Sequence, residues 1–219
     1  MHYQYHPQFL YQKEADFLLD FLKTEIPWRQ VKYFKPERGY VQTPRETWCA
    51  GFHNNLFYPV NGICPSPIPE KLIELKLLME DFLNQKFNFM LFAKYRNGKD
   101  SIAYHSDDEM FLGRNPVIAS LTLGETRPFC LKNKNSKEVQ TWNLNHGDLF
   151  VMQEDCQKNY QHSVPKIDNF DHQRYSITFR KALNEKGSYN YYTYNVGKTL
   201  EKSSNINYSS NNPLKNKGF

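Results

Sequence analysis

His105 and Asp107 stand one residue apart in the stretch Tyr104-His105-Ser106-Asp107-Asp108-Glu109. Residues two apart on a β-strand point to the same side, so this imidazole and this carboxylate can face one ion. The pair leaves a divalent cation short of one protein ligand. A second histidine completes a two-histidine, one-carboxylate facial triad, the donor set of non-haem Fe(II) sites with open positions. His162, in Gln161-His162-Ser163-Val164-Pro165, is the best candidate. It lies 55 residues after Asp107, a gap that lets two opposed strands of a jelly roll meet at one mouth.

A second constellation follows in Arg174-Tyr175-Ser176-Ile177-Thr178-Phe179-Arg180. Its even spacing puts Arg174, Ser176, Thr178 and Arg180 on one face of a strand. Guanidinium groups on an inward face need anions, and a carboxylate suits their planar fork. A dicarboxylate held beside the ion would satisfy them.

These side chains need a scaffold of short strands, and the second half of the chain reads as one. Apolar runs alternate with turns at 89–95, 102–105, 117–123, 127–131, 142–144, 148–152, 161–165 and 175–179. Many short strands without long helices between them argue for an antiparallel sandwich or jelly roll. Asn145-His146-Gly147-Asp148 has the composition of a tight turn. Ahead of the strands, Phe17, Leu18, Phe21 and Leu22 mark a helix over 14–24, and Leu72, Leu75, Met79 and Phe82 mark another over 69–85. A strand is expected over 28–34, with a turn at 35–39. From Ser203 onward the sequence lacks a core pattern and reads as disordered.

With 219 residues the chain suits one domain and an extension. The formal charge is +5. From Lys181 onward there are six Lys against Glu185 and Glu201, so the folded part is near neutral and bulk charge says little about nucleic acid. Aromatics make up 16% of residues, most of them suited to a sheet core. The four Cys form no Cys-x-x-Cys pair, which excludes a zinc ribbon, and they do not read as a disulfide framework. No apolar run is long enough to cross a bilayer, and the first residues are not a signal peptide. The expectation is a soluble intracellular monomer with reduced thiols, in nucleus or cytoplasm, with no membrane partner.

The ordered stretches around His105, Asp107, His162, Arg174 and Arg180, with Tyr95-Arg96-Asn97-Gly98 and Pro116 to Gly124, resemble those of AlkB-family Fe(II)- and 2-oxoglutarate-dependent dioxygenases. The likeness is greatest to the branch that repairs alkylated bases in single strands. It implies a mainly β (α+β) fold, a double-stranded β-helix with N-terminal helices and a nucleotide-recognition lid. The domain would cover residues 1–182, with the lid at about 28–68 and the catalytic core at about 87–182, followed by a polar tail at 183–219. It implies iron ligation by His105, Asp107 and His162. It also implies that Arg180, helped by Tyr95, holds the distal carboxylate of 2-oxoglutarate, with Arg174 near the metal-side carboxylate and Asp107. Ser176 stands where a related protein has Asn, and Ala93 where the family often has Asn, so one cosubstrate hydrogen bond is in doubt.

The activity implied is oxidative demethylation of N-alkylated bases such as 1-methyladenine and 3-methylcytosine. The partner would be single- or double-stranded DNA or RNA. The reaction uses O2, releases formaldehyde, and is coupled to decarboxylation of 2-oxoglutarate to succinate. A flipped base must sit between planar side chains. His105 offers one wall; Tyr58 is the first choice for the other, with Phe57 and Trp48 as rivals. Glu109 resembles the family's acidic residue at the base edge and is grouped with Asp107 as catalytic. Arg29, Lys32, Lys35, Arg38 and Arg45 are candidates for the phosphate backbone. Two other readings stand beside this one: a hydroxylase or demethylase of protein or small molecules, and a non-catalytic nucleic-acid-binding member of the fold.

Overall fold

The computed structural model describes residues 1–35, 39–51 and 65–183. Eleven strands and three α-helices follow in the order β1 (Tyr3–His6), α1 (Gln12–Thr24), β2 (Arg29–Lys35), β3 (Gly39–Gly51), α2 (Ile73–Leu83), β4 (Phe89–Tyr95) and β5 (Ile102–His105). Then come β6 (Ile118–Gly124), β7 (Arg127–Asn133), β8 (Val139–Leu144), β9 (Leu149–Met152), α3 (Cys156–Asn159), β10 (Tyr160–Val164) and β11 (Arg174–Arg180).

From β4 onward the chain moves back and forth between two antiparallel sheets. One has the order β1-β9-β6-β11-β4-β3-β2 and the other β5-β10-β7-β8. Strands β4 to β11 therefore make the expected jelly roll, four strands from each sheet, and β1, β2 and β3 widen the larger one.

Strand alternation splits the apolar residues into two cores. On the larger sheet Phe92, Leu121, Leu123, Ile177 and Phe179 face outward and pack with Leu18, Phe21 and Leu22 of α1 and Leu75 and Met79 of α2. Their alternates, including Phe89, Ile118 and Phe150, face inward and meet Phe129, Leu131 and Val164 of the smaller sheet. Helices on one face and a second sheet on the other are what residues of period two demand when both faces must be buried.

Helix α1 opens with a reciprocal cap, Tyr11 N–H donating to Glu14 Oε2 at 3.0 Å. Its buried stripe is Ala15, Leu18, Phe21 and Leu22, so Phe17 lies on the solvent side, contrary to the sequence expectation. The expected second helix starts as a short 3-10 turn and runs to Leu83; Phe82 is partly exposed and packs edge-on against His6 and Phe9. The turn at 145–148 is present, with Gly147 at φ +87° and its would-be Cβ 2.9 Å from the Leu10 carbonyl oxygen. Gly98 is forced by proximity: a Cβ there would lie 2.0 Å from the Ile167 carbonyl oxygen. That close approach ties the β4–β5 loop to the β10–β11 loop, through Gly98 N–H to Phe170 O at 2.7 Å and Ile167 N–H to Gly98 O at 2.9 Å. No helix among the described residues is long and apolar enough to cross a membrane.

Candidate metal centre and cosubstrate pocket

β5 ends on His105, and β10 lies beside it with His162 directly opposite in register. The two imidazole rings are 4.2 Å apart between centroids. The chain then turns out of β5 and brings Asp107 between them. Asp107 Oδ1 is 3.7 Å from His105 Nε2, and Oδ2 is 3.8 Å from His162 Nε2. The three ligand atoms lie within 4.8 Å of one another.

The donor set fits a divalent ion. A carbonyl oxygen only accepts, so Nδ1 of His105, 2.9 Å from Ala103 O, carries the proton. That leaves the Nε2 lone pair free on the side of Asp107, the usual device by which a second hydrogen bond fixes a ligating histidine. Burial pushes the pKa of His162 down to about 3, the His105 ring adding to the effect and Asp107 opposing it, so the imidazole is neutral. Burial alone would raise Asp107; the Arg180 guanidinium, the largest opposing cause, holds its carboxyl below the ordinary range. Two neutral imidazoles and one carboxylate are the protonation states that metal binding requires.

These residues open into a cavity of about 700 Å³ between the two sheets. Its floor is the inward face of β11 and its neighbours. Arg174 pairs with Tyr95 and Gly124, Ser176 with Ala93 and Thr122, and Thr178 with Leu91 and Ser120. The predicted single face of Arg174, Ser176, Thr178 and Arg180 is thus realised, and all four line the cavity.

Arg174 is 2% exposed. Its Nη2 donates to Thr122 Oγ1 at 2.9 Å and its guanidinium lies 5.2 Å from the Tyr95 ring centre. Its Nε is buried without a partner, and it makes no ion pair with a described carboxylate. Burial lowers its pKa and Tyr95 opposes that. A buried cation with donors to spare, facing a cavity, is a place for an anion.

Arg180 is at the other end of the strand. Its Nη2 is 2.9 Å from Asp107 Oδ2, with both side chains buried. This reverses the expected assignment of the two arginines. Arg180 is the one beside the metal ligand, and Arg174 is the one with Tyr95 at the far end. The physical reason is register: Arg174 pairs across the sheet with Tyr95, whereas Arg180 pairs with Phe89, six positions along β11.

A match to the model of the 2OG-Fe(II) oxygenase superfamily covers residues 2–180. The chain belongs to this superfamily, on its AlkB branch. It is 36% identical over 187 residues to human alpha-ketoglutarate-dependent dioxygenase alkB homolog 3, covering 80% of this chain and 64% of the relative. It is 30% identical over 175 residues to mouse DNA oxidative demethylase ALKBH2, covering 72% of this chain and 73% of the relative. The chain thus spans just under two thirds of the human relative's length. In fold it is similar to OsALKBH1, with a TM-score of 0.56 at 18% identity over 82% of this chain and 98% of that structure.

The superfamily implies Fe(II), 2-oxoglutarate and O2; the triad His105, Asp107 and His162 fits the iron, and the floor beside it is cationic. Ala93 presents only a methyl where the AlkB family often has Asn, but Ser176 faces it, and Ser120 and Thr178 line the same floor. Hydroxyls thus stand close to where the amide would be.

Glu109 also lines the cavity, 6% exposed, and its Oε2 is buried without a partner. Burial pushes its pKa up to about 7; Arg180 opposes and Asp107 adds to the rise. Arg45 lines the cavity from β3, its Nη1 3.5 Å from Ser101 O. Trp48 is a correction. It is half-buried and packs 4.9 Å from the Phe92 ring, on the helix face of the larger sheet. One step of strand parity turns it away from the cavity, so it cannot wall a base bound there. Arg38, Phe57, Tyr58 and the tail from residue 184 lie outside the described residues. Arg29 and Lys32 sit on β2, the outer strand of the larger sheet.

Sequence reading missed Arg127. It is fully buried and donates to three backbone carbonyls: Nη1 to Asn97 O at 3.0 Å, and Nη2 to Asp100 O at 3.1 Å and Pro165 O at 2.6 Å. It lies 5.7 Å from the Tyr95 ring centre and so braces the tyrosine under Arg174. Parity was the available signal, since Arg127 shares the inward face of β7 with Phe129 and Leu131.

Proposed function

We propose that this protein oxidatively demethylates N-alkylated bases in nucleic acid, using Fe(II), 2-oxoglutarate and O2. The observation that carries the reading is the composition of one cavity. It joins a facial triad, a buried arginine without an anion, and a buried carboxyl group on the wall beside them. When bound, iron with 2-oxoglutarate and dioxygen supplies the oxidising power to hydroxylate a C–H bond, and a hydroxylated N-methyl group leaves as formaldehyde.

The chain's own residues do the placing. Arg174, with Tyr95 and Thr122, receives the distal carboxylate of the cosubstrate. Arg180 neutralises Asp107 and stands at the metal-side end. The two arginines thereby fix which way a dicarboxylate lies on the β11 floor.

A cavity of about 700 Å³ is roomier than a five-carbon diacid requires. The remainder suits a base turned out of its stack, which enzymes acting on bases must bring about. Glu109 offers a buried carboxyl group to the edge of such a base. Arg45 lies on the same wall, in reach of a phosphate at the mouth. The likeness to the mouse relative, a DNA oxidative demethylase, supports the same substrate class.

The deciding experiment is formaldehyde release from 1-methyladenine and 3-methylcytosine in single-stranded DNA and RNA oligonucleotides. Release should require Fe(II) and 2-oxoglutarate and should be matched by succinate. Succinate formation without demethylation of any oligonucleotide would move the substrate to protein or a small molecule.

A further inference from the structure

We propose that Gln157 is a positioning residue for the metal centre. Its side-chain carbonyl fixes the backbone beneath Asp107 and so aims the ligating carboxylate before an ion arrives. The proposal rests on reading His105, Asp107 and His162 as metal ligands.

β5 ends at His105 and a 3-10 turn begins at Met110, so Asp107 sits on backbone with no strand partner. A buried N–H without a partner is destabilising, and Asp107 is 3% exposed. The N–H of Asp107 donates to Gln157 Oε1 at 2.8 Å. Next to it, the Ser106 hydroxyl donates to Tyr160 O at 2.8 Å. Both bonds reach the short segment that runs straight into β10, where His162 lies five residues after Gln157. The segment carrying the first two ligands is therefore pinned to the strand carrying the third.

Gln157 is itself held. It is 1% exposed, and its amide nitrogen lies 3.4 Å from Met152 Sδ, a weak acceptor. Turning the amide over would set its NH2 against the N–H of Asp107, so the carbonyl is committed to Asp107. Its backbone carbonyl accepts from Lys134 Nζ at 2.8 Å, and Lys134 N–H donates to Asn159 O at 2.8 Å. The end of β7 thus anchors α3 at two points. Sequence reading gave no sign of this helix, because four residues are too few for helical periodicity.

Partners behind metal ligands alter metal affinity by about 10–100-fold. The test is Mn(II) titration of the full chain, followed by the EPR signal of the free ion, for the natural protein and for Gln157→Leu. The leucine keeps the volume and removes the acceptor. Gln157→Leu should bind Mn(II) at least about tenfold more weakly while its circular dichroism shows the native fold. Amide hydrogen exchange in the 105–112 peptide should rise in the same variant. A folded Gln157→Leu with unchanged Mn(II) affinity overturns the proposal, since a residue that only supports the fold would lower the melting temperature and leave the ion's affinity alone. If Gln157→Leu does not fold, Gln157→Met removes the same acceptor with an unbranched side chain of similar length, and the same loss or constancy of affinity decides. If the natural protein takes up no Mn(II), the metal centre and the role of Gln157 fall together; uptake by the natural protein separates the two.

Discussion

Arg180 and Asp107 form a buried ion pair, Nη2 to Oδ2 at 2.9 Å, in which the carboxylate also faces two histidines. Asp107 thus serves both the ion and the arginine. Removing one partner of a buried pair costs up to about 3–5 kcal/mol. Asp107→Ala is expected to abolish formaldehyde release and also to lower the stability of the metal-free protein by an amount of that order. Urea unfolding of the two metal-free proteins checks it. Equal midpoints would show that Arg180 finds another anion or water.

The reversed arginines give a separable pair of outcomes. Arg174 offers a rigid two-pronged donor at the far end of the cavity, and lysine replaces it with a point charge. Arg174→Lys is expected to raise the KM for 2-oxoglutarate by about tenfold or more, the worth of one hydrogen bond to a charged group, while Mn(II) affinity holds. Arg180→Lys should instead weaken Mn(II) binding, because it loosens Asp107. Measured together, KM and metal affinity assign the arginines; the opposite pattern restores the order that the sequence implied.

Much of this was legible before the structure. The shared face of Arg174 to Arg180 and the eight jelly-roll strands follow from period two and from short apolar runs; the three triad residues are named correctly, but β5 ends at His105 and Asp107 reaches the site by a turn, not by strand alternation. What was not legible has identifiable causes. No strand is expected over 39–51, because Gly39–Gly51 mixes polar and β-branched residues without clean alternation. Without that strand, the parity that turns Trp48 toward the helices has no local signal. The roles of Arg174 and Arg180 depend on register against β4, and Arg127 and Gln157 act on backbone groups of distant segments. Pairings of that kind are made by topology and leave no local pattern.

A cluster away from the site gives a pH dependence. Glu80 is 5% exposed and accepts from Lys76 Nζ at 2.6 Å, Lys86 Nζ at 3.1 Å and Phe87 N–H at 2.8 Å. Burial pushes its carboxyl up, but these donors outweigh burial and leave its pKa below the ordinary 4.5. A carboxyl whose folded pKa is depressed binds its proton more readily unfolded. Its contribution is therefore present above pH 4.5 and is lost as pH falls from there through the lower folded value. Glu80→Gln is expected to be less stable at pH 7 by about 1–3 kcal/mol, with the gap narrowing below about pH 4.5. Urea midpoints of both proteins at pH 7, 5 and 4 test this. A gap constant across the series would mean that shape, and not charge, is what Glu80 supplies.

Under the proposed function, Glu109 is the residue expected to set base preference. Its carboxyl group is buried in the cavity wall, and Oε2 has no partner. A base edge that donates to this oxygen gains a hydrogen bond, and one that cannot leaves it stranded. That difference is worth about 1–3 kcal/mol, or roughly 5- to 150-fold in relative kcat/KM. Glu109→Ala removes the distinction, so the ratio of kcat/KM for 3-methylcytosine, whose amino group donates, over 3-methylthymine, whose edge only accepts, should shift by at least about fivefold. Mn(II) affinity should stay within about threefold of the natural value, because the triad is intact. Competition between the two lesions in one oligonucleotide mixture measures the ratio without needing absolute rates. Equal losses on both bases with unchanged metal binding would place Glu109 in the architecture of the cavity wall and leave base choice to other residues.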